Sequence, residues 1–222
     1  MVEFAQEHAA LRWSVVVAFL FAAAVVLGRL AASNGVRGTE TVRLHVNSPS
    51  AAACHESDAA HLIMCMVMLA MLVFPVGADP VALRGVLIAL IVVFVALFAD
   101  RIARWRNAPA AVPDDRIIAL GYHIAVSAAM LYAIAGHHAG AHAGGPAPGP
   151  ALTVAALFTA DAFALIVAAS TGRFRRWLGH PIGIRTDSRQ SASCIGRALT
   201  SAIVPHVVMD LGTAYMLIAA VF

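Results

Sequence analysis

Long apolar runs alternate along this chain with short segments that collect arginine, glycine and proline. A helix needs roughly 20 mostly apolar residues to cross about 30 Å of hydrocarbon. Six windows meet that demand, at about 13–32, 59–78, 81–99, 117–136, 151–170 and 198–222. The expected fold is therefore all-α, an integral membrane helical bundle of about six transmembrane helices in one domain over residues 1–222. The second and third windows are joined by the turn-forming segment Pro75–Pro80, which predicts a tight helical hairpin. The third window is the least clean, because Arg84 near its start must snorkel toward the headgroups. The longest loops, about 26 residues, are too short to bury a core of their own. The first window reads as a retained helix. Its flank carries Glu3 and Glu7 against one Arg12, its apolar run is long, and no cleavage motif follows.

Composition agrees with lipid. Hydrophobic residues make up 61% of the chain and charged residues 12%, against roughly 25% charged in a soluble domain. The mean hydropathy is +0.82. All 15 basic residues are arginine, which excludes a Walker-type phosphate loop and Schiff-base lysine chemistry. The net charge of +3 does not imply nucleic acid, because the arginines sit in short loops between apolar runs. Loops 33–58, 100–116 and 171–197 hold twelve of them, against Arg12 and Arg84 on the opposite side. The positive-inside rule then predicts those loops in the cytoplasm and both termini outside, in a plasma membrane. The segment Arg173–Trp177 reads as an interfacial anchor against anionic lipid. His137, His138 and His142, in an uncharged Ala/Gly loop, are a weak metal-gathering tract. The cysteines Cys54, Cys65 and Cys194 form neither a disulfide framework nor a CxxC pair.

Sulfur and imidazole are distributed unevenly. Apart from Met1, all seven methionines fall in the second, fourth and sixth windows, which also hold the membrane-embedded histidines His61, His123 and His206. The second window reads His61, Met64, Met71 and the sixth His206, Met209, Met216, with identical spacing. At about 100° per residue, offsets of three and ten lie about 60° and 80° from the histidine, on one side of the helix. Met68 joins that stripe at offset seven, as Met130 does relative to His123. Cys65 and Asp210 join at offset four, and only Met66 points away. Counting about 1.5 Å per residue, the three histidines lie on the order of 3 to 12 Å inside the cytoplasmic ends. Asp161, in the middle of the fifth window, stands at a similar height. A carboxylate there should face the bundle interior and a partner, either pairing with a histidine or orienting one.

Thioether, thiolate and imidazole are the donors that favour copper(I) over hard cations. The candidate ligands are His61, Met64, Cys65, Met68, Met71, His123, Met130, His206, Met209, Asp210 and Met216. The plain alternative is a polar interhelical core in which histidine bonds backbone or aspartate and methionine fills gaps.

The N-terminal helix, the HxxMxxxMxxM run at His61–Met71 and the HxxM…YM segment at His206–Met216 resemble a family of actinobacterial multi-pass membrane proteins known as a domain of unknown function. The resemblance implies a helical membrane protein and supplies no activity. Four functions stay open. The leading expectation is a non-catalytic membrane protein that binds or handles copper(I). A haem b electron carrier would use two of the histidines as axial ligands. An intramembrane zinc hydrolase would use His206, Asp210, Asp161 and His123, without any HExxH motif. A structural membrane subunit would use the polar stripe only for packing. The lipid bilayer is the expected surrounding, with a homo-oligomer or membrane-protein partner open and nucleic acid excluded.

Overall fold

The structure, a computed structural model, describes residues 9–35, 49–74, 80–107, 115–135, 146–171 and 192–222. Among them the regular elements are six helices: α1 (Ala9–Gly35), α2 (Pro49–Val73), α3 (Pro80–Asn107), α4 (Asp115–Ala135), α5 (Pro148–Ser170) and α6 (Ala192–Val221). Each overlaps one predicted apolar window, and the helix in the second ends at Val73, short of the predicted 78. Three begin on a proline, whose fixed φ suits the first helical turn and whose missing N–H would have had no intrahelical partner there. That is why α2 starts well before its apolar run. Five helices carry spans long and apolar enough to cross a membrane, while the apolar stretch of α2, Asp58–Val73, is shorter. The chain is a membrane-embedded helical bundle.

Consecutive helices pair as α1–α2, α3–α4 and α5–α6, and α6 also packs on α1, α2 and α4. The central position of α6 follows from its residues. Gly212, Thr213, Ala214, Ala219 and Ala220 are small and buried, and small residues let helix backbones approach where no water drives them together. Its partner α5 buries Ala151, Ala155, Phe158, Ala162, Leu165 and Ala168, a stripe at steps of three and four that is mostly alanine. By contrast α3 is largely lipid-facing and turns inward through Leu87 and Phe94. The expected α2–α3 hairpin is not the closest pairing of either helix. The inner face of α2 is committed to α1, α4 and α6, and α3, with no polar face to bury, settles on α4. Arg84 is exposed near the start of α3.

The facing ends of α1 and α2 are tied by Arg29 and Asp58, whose guanidinium and carboxylate stand 2.9 Å apart with Asp58 buried. Replacing Arg29 by Gln should lower the stability of the detergent-solubilised protein by about 1–3 kcal/mol, between the values for surface and buried pairs. Arg29→Lys should recover much of the loss. Thermal unfolding read by circular dichroism checks this, and equal melting of parent and Arg29→Gln would show the pair to be dispensable.

The connections at 36–48, 75–79, 108–114 and 172–191 lie outside the described residues, as do Arg173–Trp177 and the His137–His142 tract.

Candidate metal centre

Three helices deliver their histidines to one place because each carries its ring on the face that packs against α6 or is α6 itself. The imidazole centroids of His61 and His123 are 4.8 Å apart, edge to face, and those of His61 and His206 are 6.1 Å apart. All three are buried, His206 to 1% exposure. On α4 the neighbours Tyr122 and His123 project about 100° apart, so the helix offers two rings side by side. Tyr122 stacks on His206 at 4.1 Å, and Phe94 of α3 stacks on His123 at 5.3 Å.

Carboxylates complete this layer. His206 Nε2 lies 3.6 Å from Asp161 Oδ2 on α5 and 3.8 Å from Asp210 Oδ2 on its own helix. The Tyr122 hydroxyl donates to Asp210 Oδ1 at 2.5 Å. One ligand atom each from Asp161, His206 and Asp210 can be chosen so that all three lie within 4.8 Å of one another. Among the described residues, neither ring nitrogen of His123 has a hydrogen-bond partner, although the residue is 2% exposed. Buried polar groups are normally satisfied, and an unsatisfied one costs about 1–3 kcal/mol. Two carboxylates this close inside a bilayer also need compensating positive charge, from a metal ion or from protons.

The sulfur-bearing residues are buried in the same core. Met64, Cys65, Met68, Met130 and Met209 have no exposure, and Met71 and Met216 have almost none, whereas Met66 is 58% exposed. The Ser127 hydroxyl donates to Met64 Sδ at 3.5 Å, which places that thioether against α4 one turn along from His123. Thr213 is buried with its hydroxyl donating back to the Met209 carbonyl. Met71 and Met216 stand on the order of 15 Å along their helices from His61 and His206, too far to share an ion with those imidazoles. Met68 and Met130 are on the order of 10 Å along. The imidazoles and carboxylates thus form one layer, with the thioethers of Met64 and Met209 about one turn along from its histidines and those of Met68, Met130, Met71 and Met216 farther along.

The sequence pointed to Asp161 as a partner of a histidine and, under the zinc alternative, as one of the residues around the metal, but it did not point to Tyr122, Phe94 or Ser127. An intramembrane carboxylate was the available signal for Asp161. Nothing in the sequence singles out Tyr122, because its role depends on where α6 places Asp210.

No curated protein and no solved structure matches the chain. The family model described as a domain of unknown function, DUF5134, matches residues 53–220, which take in α2 from its second turn, nearly all of α6 and every candidate ligand named above. With three quarters of its length covered by that match, the chain belongs to the DUF5134 family.

Proposed function

We propose that this protein binds a transition-metal ion within the bilayer, on His206, Asp161 and Asp210, with the imidazoles of His61 and His123 beside it as further donors. The convergence of Asp161, His206 and Asp210 ligand atoms within 4.8 Å carries this reading. One to three imidazoles and two carboxylates suit a borderline divalent ion such as zinc, better than a soft monovalent one. The carboxylates would supply the charge that the ion needs, and the ion would relieve their mutual repulsion. The reading is of binding and handling, without a catalytic step. The arginine asymmetry supports an orientation with the arginine-rich connections in the cytoplasm, which sets the polar layer in the cytoplasmic half of the membrane.

Copper(I) remains the second reading, favoured by the buried thioethers of Met64 and Met209 one turn from His61 and His206. Haem b gains no support, since the imidazoles pack on one another and on Tyr122 and Phe94.

Elemental analysis of the purified protein separates the two metals. Parent protein is expected to hold zinc near one ion per chain, and Met64→Leu with Met209→Leu should keep it. Leucine preserves apolar volume, and such swaps usually cost less than about 1.5 kcal/mol. If the parent instead holds copper under reducing conditions and the double variant loses it, the thioether reading stands in place of the carboxylate one. Protein that retains neither metal contradicts both and leaves a polar network that only packs helices.

A further inference from the structure

Helices α4 and α5 both lean on α6 but scarcely on each other, and the gap between them is a groove of about 610 Å³. Its walls are apolar, with Ala128 on α4 and Val154 and Leu157 on α5. Its inner end is formed by Tyr122, Phe158 and Asp161. The wall residues Ala128 and Leu157 are exposed, and in membrane-spanning helices exposure means contact with lipid. From Tyr122 to Tyr132 the groove follows α4 for about 15 Å. At the far end the Tyr132 hydroxyl donates to the Ala147 carbonyl and links α4 to the start of α5. The polar layer therefore opens sideways into hydrocarbon through Asp161, whose side chain keeps 36% of its exposure.

We propose that this groove binds a lipid-soluble quinol, with its ring at Tyr122, Phe158 and Asp161 and its isoprenoid tail along the alanine wall. Three features select that chemistry. Access from the bilayer admits only a lipid-soluble molecule of pocket size, and ligand pockets run to roughly 300–1,000 Å³. The polar end lies deep, where a phosphate headgroup would be desolvated at prohibitive cost, so the head must be uncharged. That head meets a carboxylate and a phenol oxygen at the edges of two aromatic rings, which suits a flat ring carrying hydroxyl donors. An acyl chain end offers neither a flat face for the two rings nor a hydroxyl donor. The site stands whether the neighbouring carboxylates hold a metal or protons.

The test uses full-length protein in lipid nanodiscs, kept anaerobic, and a fluorinated naphthoquinol with a ten-carbon tail, its bound fraction read from the fluorine NMR resonance. Saturable binding to the parent is expected. Ala128→Phe or Val154→Phe, each filling the groove from one wall, should weaken it by about tenfold or more. Ala156→Phe, exposed on α5 outside the groove, should leave it unchanged. The dimethyl ether of the same quinol has no donor to offer and should bind about 10–100-fold more weakly. Absence of saturable binding in the folded parent, or equal binding by both groove-filling variants, overturns the site. Equal binding of quinol and ether overturns the head assignment and gives the groove to an apolar chain. Metal content measured on the same samples should not change in Ala128→Phe, so failure here and failure of the metal reading are read separately.

Discussion

Gly212→Ala is expected to destabilise the protein by about 1–3 kcal/mol, the usual cost of overpacking a filled interior. The sign carries the argument. In an open helix position, alanine is better than glycine by about 0.5–1 kcal/mol. At Gly212, however, an added Cβ overlaps the ring of Phe19 and stands 3.3 Å from Met68 Sδ. Phe19 is fully buried and has nowhere to swing. The glycine is what lets α1 and α6 approach, and it sits two residues past Asp210 on the helix that organises the polar layer. Gly212→Leu should fail to accumulate as folded protein. Phe19→Leu should recover part of the Gly212→Ala loss, because neighbours that share a contact are not additive. Thermal unfolding in detergent measures all of this, and a neutral or stabilising Gly212→Ala would show that the helices are not in contact there.

The apolar windows and the histidine–methionine stripes were legible in the sequence because both are properties of a single helix. Length fixes a span, and about 100° per residue fixes a face, so His61, Met64 and Met68 could be placed on one side before any neighbour was known. What lay beyond reach was the pairing of one helix with another. Tyr122 and His123 are adjacent in sequence, yet one stacks on His206 and the other meets His61, and only the position of α6 decides which. The α2–α3 hairpin was predicted from the shortness of its connector. A short connector limits separation but does not compel packing, and α3 found its better surface on α4. Ligand atoms of Asp161, His206 and Asp210 come within 4.8 Å of one another, a grouping that the sulfur stripe did not suggest. Asp161 comes from a helix without any methionine or histidine, so no periodicity linked it to the others.

Replacing Asp161 and Asp210 together by asparagine is expected to lower zinc affinity by more than about 100-fold, since even groups that only orient a ligand typically contribute 10–100-fold. The change is nearly isosteric and leaves hydrogen-bonding capacity on both side chains. It also removes two carboxylates from the bilayer, each costing about 2.5–3.5 kcal/mol on insertion scales. The double variant should therefore be at least as stable as the metal-free parent while binding far less metal. His206→Ala should lose metal as well, but it also removes the group that faces both carboxylates, so its stability will fall. Isothermal titration of chelator-treated protein gives the affinities, and unfolding curves of the same samples give the stabilities. Unchanged zinc affinity in the double asparagine variant would detach the carboxylates from the site altogether.

Whether the imidazole–carboxylate layer holds the ion can be read from the zinc K-edge X-ray absorption spectrum of the purified parent. Nitrogen and oxygen ligands to zinc lie at about 2.0–2.2 Å and thiolate sulfur at about 2.3 Å. The proposed zinc site should give a first shell of nitrogen and oxygen alone, with the outer-shell scattering of imidazole, and loss of that signal in the Asp161→Asn, Asp210→Asn double variant. A sulfur shell, or a spectrum unchanged in the double variant, would contradict it.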